Sequence, residues 1–527
     1  MARSTISGAL RANLERDGVA FRTESDTEVL LALYRRDGDR MVNQLRGMFA
    51  FAVWDAQRAA MLLARDPYGI KPLYFADDGW TVRVASQVKA LLAGGRVSRQ
   101  QEPAGRVGFA LFGSVPEPFT TYQEIRAVPS GTLMWVDESG PQRERRHYSI
   151  AQQYAQPGTQ TEDSRIGFID AVRDSVRAHL VADVPVGAFL SAGIDSGALV
   201  GAMSDLSPTP VRAVTIAFDA YANSDDDEAP LAALTAARYG VAHTVRRVDE
   251  AEFRADLPRI LEAMDQPSID GFNTWFAAKA AREQGLKVAV SGVGGDELVG
   301  GYESFRDVPR WVRQFRALSR VPLLGSVSRT LLAPLLARQD RISPKAAGML
   351  ELGGTWAGAY LLRRGIYMPW ELSRVLPRDT VIEGLRRLDW RAGLNSMLDP
   401  RPESEAARVA CLEAQQYLRN QLLRDTDWAG MAHSLEVRTP LIDAQLLRRA
   451  GAQAVHGGGA HGKAMLAQVP SNPLPAVVID RRKTGFQTPV AQWLSHAVAT
   501  NATATAVDRG HWSRRLVANL TAIGSAS

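Results

Sequence analysis

The chain reads as an α/β protein in two parts: a sheet-rich first region, then a doubly wound parallel sheet with a helical C-terminal extension. Three observations predict this. Between residues 184 and 290, apolar runs of strand length alternate with helical stretches, the pattern of a parallel sheet with crossover helices. Between residues 47 and 136, short apolar runs separated by polar turns suggest antiparallel hairpins. After residue 305 the pattern is helical, rich in Arg and Leu and interrupted by Pro. We draw the first domain at 1–150, the second at 165–500 and a tail at 501–527.

Residues 6–18 predict a helix, with Leu10 and Leu14 four apart, and a second helix over Asp26–Tyr34 is capped by Ser25 or Asp26. Strand-like runs follow at 47–54, 60–64, 72–75, 81–85 and 131–136, and the polar stretch 152–163 reads as a linker. From Arg165, Phe168, Val172, Val176 and Leu180 line one helix face. Strands are then expected at 184–190, 211–218, 242–248 and 287–290, and helices at 229–239, 250–264 and 275–284. Asp425–Arg438 reads as a helix crowded with charge. Residues 497–527, rich in Ala, Thr and Ser with one patterned patch near 512–520, suggest a loosely attached tail.

At 527 residues the chain is long enough for about two to four domains. A hydrophobic fraction of 46% and a charged fraction of 23% are ordinary for a globular protein. The net charge of +5 comes without any segment that concentrates Lys and Arg among aromatics, which argues against a nucleic-acid partner. The single cysteine, Cys411, excludes an internal disulfide and any multi-cysteine metal site, and points to a reducing, cytoplasmic setting. The N-terminus carries no signal-peptide pattern. The longest apolar region, 321–337, is interrupted by Pro322, Gly325, Arg329 and Pro334, so no membrane span or membrane partner is expected. Its flanking Arg310, Arg313, Arg316 and Arg320 would suit a membrane-surface helix, but we favour a solvated face with the apolar side in a core.

Two motifs fall where the predicted parallel strands end, the place where such sheets bind ligands. The first is Ser191-Ala192-Gly193-Ile194-Asp195-Ser196, a small-residue turn from strand to helix that can aim backbone N–H groups at a phosphate. The second, Ser291–Tyr302, holds five glycines together with Asp296 and Glu297. Carboxylates converging on a phosphate cradle imply Mg2+, since they would otherwise repel the ligand. The acidic run 224–228 lacks the glycine and the later glutamate of an EF-hand loop and reads as a solvated loop capping the next helix. The eight histidines, His433 and His461 among them, show no metal spacing. Lys483, in the basic loop Arg481–Phe486, stands out in a chain that favours Arg, because its compact charge suits a leaving phosphate.

Taken together, these motifs resemble the glutamine-dependent asparagine synthetases. The hexapeptide is similar to that family's pyrophosphate loop, with Ala192 in place of a glycine. Ser291–Tyr302, Ala432–Asp443 and Lys483–Phe486 resemble further family stretches, and Ser25–Leu30 with Arg65–Tyr74 resemble the later part of its glutaminase domain, which is of the N-terminal-nucleophile type. The resemblance implies ATP with its adenine near Leu190, Ile216, Ser291 and Gly292. Ser191, Gly193, Asp195 and Ser196 would hold pyrophosphate and Mg2+, with Asp296 a second magnesium ligand and Lys483 stabilising the leaving pyrophosphate. The implied catalytic set is Asp195, Asp296 and Lys483. The implied reaction adenylates a carboxylic acid, aspartate or another, and lets ammonia attack the acyl-adenylate.

Two departures qualify this. The family's glutaminase uses an N-terminal cysteine; here position 2 is Ala2, and Asp26 alone remains of the glutamine-binding set. No glutaminase activity is expected of this polypeptide, and two explanations stand: nitrogen comes from free ammonia or a separate glutaminase subunit, or the start of the chain is placed too late. Val293 stands where asparagine-forming members carry an acid, which opens the choice of acid substrate to other amides or lactams. A catalytically silent homologue serving as a partner subunit is the rival reading, and homodimerisation is left open.

Overall fold

Leu10 and Leu14, one turn apart, bury the inner face of α1 (Ser7–Arg16) in the same cluster as Val29 and Leu33 of α2 (Asp26–Asp37). The Ser25 side chain caps α2 by accepting the Thr27 amide. The structure, a computed structural model, describes residues 7–156, 162–336, 344–456, 459–481 and 512–523, with Pro489 and Trp493.

The apolar runs of the first region form two antiparallel sheets. In one, β1 (Ala50–Asp55) pairs with β2 (Ala60–Arg65). The other holds β3 (Tyr74–Asp77) and β4 (Val82–Ala85). Then come α3 (Val88–Ala93) and α4 (Pro103–Phe112), neither expected from the sequence. The chain returns as β5 (Ile125–Ala127) beside β3 and β6 (Thr132–Asp137) beside β2. Two short strands, β7 (Gly140–Pro141) and β8 (Arg145–Arg146), also pair with β6. Helix α4 is buried along nearly its whole length, so it shows no polar face by which the 3.6-residue period could reveal it.

The expected linker is bounded by helix at both ends among its described residues. Ser149 caps α5 (Ile150–Tyr154), whose Ile150 and Tyr154 are buried, and α6 (Glu162–His179) begins before the predicted residue 165. The second domain then alternates as anticipated: β9 (Val186–Phe189), α7 (Ile194–Leu206), β10 (Arg212–Phe218), α8 (Ala229–Tyr239), β11 (Ala242–Val248), α9 (Glu250–Ala263), α10 (Phe272–Glu283) and β12 (Val288–Val290). Its sheet is parallel throughout, in the order β11-β10-β9-β12-β13. After β12 come α11 (Gly295–Val299), α12 (Ser304–Phe315) and α13 (Leu324–Leu336).

The fifth strand, β13 (Glu436–Arg438), corrects the helix read over Asp425–Arg438. The helix stops at Ala432; Ser434, at φ 54°, turns the chain, and Glu436 comes into register with Val288. Arg438 is buried and donates to the carbonyls of His179 and Val181, both at 2.7 Å, which ties the edge strand to the end of α6.

The tail expectation is corrected for residues 512–523, which form a docked helix. Leu516 and Val517 are buried, and the Arg514 guanidinium reaches the buried Glu371 carboxylate at 2.5 Å.

The two domains are locked by buried polar contacts. Arg46 pairs with Asp443 at 2.6 Å and with Asp174 at 2.9 Å. Asp443 also accepts the Gln445 amide at the start of the helix Ala444–His456. Lys71 pairs with Asp427 at 3.0 Å, and the Tyr148 hydroxyl donates to the Ala444 carbonyl. Removing the Arg46 side chain would strand a carboxylate whose side chain is inaccessible to water. We expect Arg46→Ala to lower unfolding free energy by about 3 kcal/mol in urea denaturation, and an unchanged midpoint would show that this contact does not hold the domains.

Candidate active site

At the C-terminal edge of the parallel sheet the turn after β9 and the turn after β12 lie side by side. In the first, hydroxyls stiffen the loop. The Ser191 amide donates to Ser196 Oγ at 3.0 Å, the two serine hydroxyls are 2.8 Å apart, and the Gly193 amide donates to Ser191 Oγ at 3.2 Å. Helix α7 then begins at Ile194, so its N-terminal N–H groups and positive dipole end face the cleft.

The second loop can approach only because it lacks side chains. A Cβ on Gly295 would stand 2.6 Å from the Asp195 carboxyl carbon, and one on Gly292 would stand 3.1 Å from the Ser196 amide nitrogen. Gly294, at φ 92°, sits where a Cβ would fall 2.0 Å from Ile442. This explains why the late stretch around Ile442 belongs to the site's framework, together with the Ser291 amide that donates to the Arg438 carbonyl at 2.8 Å.

The two loops bring Asp195 and Asp296 to a common point. Lys463, from the helix Gly459–Ala467, lies there: its Nζ hydrogen-bonds Asp195 and is 2.7 Å from Asp296 Oδ1. Burial alone would push this ammonium down, but the two carboxylates hold it well above its ordinary value. Sequence reasoning missed Lys463, because a lysine in an Ala- and Gly-rich helix has no local signature. Lys483 lies outside the described residues.

A cavity of about 1090 Å³ opens from this point. Leu190, Ser191, Gly193, Asp195, Ser196, Ile216, Ser291 and Gly292 all line it, so the residues singled out from sequence share one wall. Glu228 lines it too, in contrast to the solvated loop expected there: burial raises its carboxyl, and Arg481 at 3.6 Å opposes that. Asp227 of the same run accepts the Ala229 amide, as a capping loop should. Val293 offers the cavity no proton-transfer group.

The wall away from the phosphate-type loops comes from a wide, π-helical segment, Glu413–Leu423, and the helix that continues it. Its larger turn places Gln416 and Tyr417, then Gln421 and Leu422, then Asp425 and Thr426 toward the same space. Against this wall lie Arg364, paired with Glu413, and Asp270, hydrogen-bonded with Gln421. Burial would lower the Arg364 guanidinium, but Glu413 at 3.0 Å holds it up, and the rings of Tyr302 and Tyr417 lie 4.3 and 3.9 Å from its carbon. Among the described residues, Arg364 Nη2 and Gln416 Nε2 are buried donors with no acceptor. Asp425 accepts from Ser268 at 2.7 Å and from Trp428 at 2.8 Å, yet burial, with the nearby charge of Asp270, pushes its carboxyl up to about 8. The same cause, with Asp296 beside it, raises Glu297 to about 8.

In the first domain, both carboxylate oxygens of Asp26 are buried without a hydrogen-bond partner among the described residues. Cys411 is fully buried in the second domain, and burial pushes its thiol far up, which makes it unreactive. Among the described residues, no group of three or more His, Cys, Asp or Glu forms a metal cage, and no helix is long and apolar enough to cross a membrane.

The family described as Asparagine synthase matches residues 167–522, and a Glutamine amidotransferase domain matches residues 7–148. "Asparagine synthetase [glutamine-hydrolyzing] 1" of Bacillus subtilis is 30% identical over 495 residues, 92% of this chain and 75% of that protein. A "Putative asparagine synthetase [glutamine-hydrolyzing]" of Mycobacterium bovis is 33% identical over 499 residues, 90% of this chain and 72% of that protein. "Amidase chry2" of Gibberella zeae is 30% identical over 312 residues, 55% of this chain and 45% of that protein.

The raised Asp425 carboxyl has a consequence for stability. Between about pH 4 and about pH 8 the folded protein keeps this proton and the unfolded chain does not, so stability falls as pH rises through that window. Asp425→Asn is expected to flatten that part of the wild-type slope in urea denaturation at a series of pH values; an identical slope in both proteins would show that Asp425 titrates normally.

Proposed function

The chain belongs to the asparagine synthase family, and on that premise we propose that it is an ATP- and Mg2+-dependent amide-forming ligase. The observation that carries this reading is the convergence of Asp195 and Asp296, from two strand-end loops, beside the N-terminus of α7. Two carboxylates meeting at a cation suit a divalent metal, whose remaining ligands would be phosphate oxygens. When bound, Mg2+ would neutralise the triphosphate and draw charge from its bridging oxygen.

In this reading Leu190 and Ile216 supply apolar contact for adenine, with Ser291 and Gly292 at its polar edge. Ser191, Gly193 and Ser196 present N–H and O–H donors to the β- and γ-phosphates. A substrate carboxylate oxygen attacks the α-phosphorus, the bond to the β-phosphate oxygen breaks, and pyrophosphate departs. Lys463 and Lys483 compensate the charge that grows on the leaving group. Ammonia then attacks the acyl carbon, loses a proton, and releases AMP.

Val293 cannot assist by proton transfer, so the cavity's far wall must select the acid. The unpartnered donors of Arg364 and Gln416 suit a carboxylate, and the carboxyl pair Asp270 and Asp425 suits an amino group. This favours an acid that also carries an amine, aspartate or a larger relative, over a simple carboxylic acid. The attacking nitrogen is ammonia, free or delivered by a glutaminase, and the buried Cys411, the one cysteine of this polypeptide, is not placed to generate it. Asp26 remains as the residue suited to a glutamine ammonium.

The test is ATP–pyrophosphate exchange with a panel of amino and non-amino acids. Asp195→Asn is expected to lower exchange by about two orders of magnitude, whereas undiminished exchange would refute the site. Incubated with glutamine, the purified polypeptide is expected to release no glutamate above background; release would overturn the assignment of ammonia as its nitrogen donor.

A further inference from the structure

Residues 318–332 are built inside out. The sequence suggested that their apolar side would sit in a core. Instead Leu318, Val321, Leu323, Leu324, Val327, Leu331 and Leu332 are all exposed, Leu323 by 76% and Leu331 by 65%. The face of α13 that docks is small and polar. Gly325 lies so close to the neighbouring helix Met349–Leu352 that a Cβ would fall 2.5 Å from Glu351 Cα, and Arg329 pairs with Glu351 at 2.6 Å. Positions 324, 327 and 331 recur at helical spacing and so share one outward stripe. At the apex Leu323 takes φ 63°, a left-handed conformation that L side chains avoid, with its side chain directed to solvent. Nothing in the fold among the described residues buries this stripe, and apolar surface of this kind marks an interaction site.

Its surroundings are cationic. Arg316 and Arg320 flank Leu318 along the chain, and the exposed side of α12 carries Arg306, Arg310 and Arg313. Arg306 pairs with Asp307 and Arg313 with Glu405. Arg310, Arg316 and Arg320 make no ion pair among the described residues. An apolar stripe edged by uncompensated arginines is complementary to one kind of surface: hydrocarbon beneath a layer of negative headgroups.

We propose that residues 306–332 form a peripheral docking surface for an anionic lipid bilayer, with Leu323, Val327 and Leu331 entering the acyl boundary and Arg310, Arg316 and Arg320 meeting the headgroups. This is independent of the ligase reading. The surface does not overlap the cavity, and membrane binding needs no turnover.

The test is flotation of the full chain with vesicles of phosphatidylcholine alone and of phosphatidylcholine mixed with phosphatidylglycerol. Wild type should float with the mixed vesicles and lose most of that binding at high salt. Each arginine near an anionic surface contributes about fivefold to partitioning, so Arg316→Glu with Arg320→Glu should reduce it at least tenfold. Leu323→Asp with Leu331→Asp should reduce it to a similar extent. Both changes are at exposed positions, and circular dichroism with thermal unfolding would verify that the variants stay folded. Absence of wild-type flotation, or equal flotation by wild type and both variants, overturns the proposal. So does a wild-type dimer in light scattering that the leucine substitutions dissociate, since the stripe would then join two copies of the chain.

Discussion

Contact between two turns without side chains in the way governs the site. Asp195 can stand in the cleft only while Gly295 leaves its carboxyl room and Gly292 leaves room for its Cβ and the next amide, and Asp296 can turn toward it only while Gly301 leaves the space a Cβ would fill. The glycines therefore act through close packing more than through backbone freedom, although Gly294 and Gly300 also adopt the left-handed angles that end the short helix between them. The parallel sheet sets this up. Strands β9 and β12 are neighbours, paired from Val186 with Val288 to Ala188 with Val290, so the loops that follow them emerge side by side.

Electrostatics divides the cavity into two unequal ends. At one end two carboxylates share a lysine and face a helix N-terminus. At the other, buried carboxyls are pushed toward neutrality, and a guanidinium is held between two phenol rings and a glutamate. A single wide helix supplies much of this second wall. Its enlarged turn lets Gln416, Tyr417, Gln421 and Leu422 face the same volume, and the α-helix that continues it adds Asp425 and Thr426.

The first domain contributes to the site from a distance. Arg46, Lys71 and Tyr148 bond to elements that follow β12 in the chain, and Asp443 joins two tasks, ending a buried cation and starting a helix. Buried pairs of this kind gain little net stability, because desolvation offsets the Coulomb attraction, but they tolerate few alternative arrangements. They fix how the two domains meet, next to the loop in which Ile442 touches Gly294.

Much of this was legible in the chain. Strand β11 and helix α8 end where periodicity and their flanking turn residues place them, since both signals act within a few residues. The two Gly-rich turns could be found because a close approach of two loops demands small residues in a run. What escaped notice was contributed by segments far apart in sequence. Lys463, Arg364 and Gln416 each sit in a helix without a local signal, Asp425 opens a stretch legible only as crowded charge, and folding alone brings the four to one cavity. Strand β13 is three residues long and gains its identity from pairing with Val288–Val290, not from its own composition. The stripe at 318–332 makes the same point in reverse. The helical period shows that one face is apolar, but periodicity carries no information about which side the rest of the molecule will cover. That was decided by Gly325 and Arg329, whose close approach and ion pair with Glu351 turned the leucines outward.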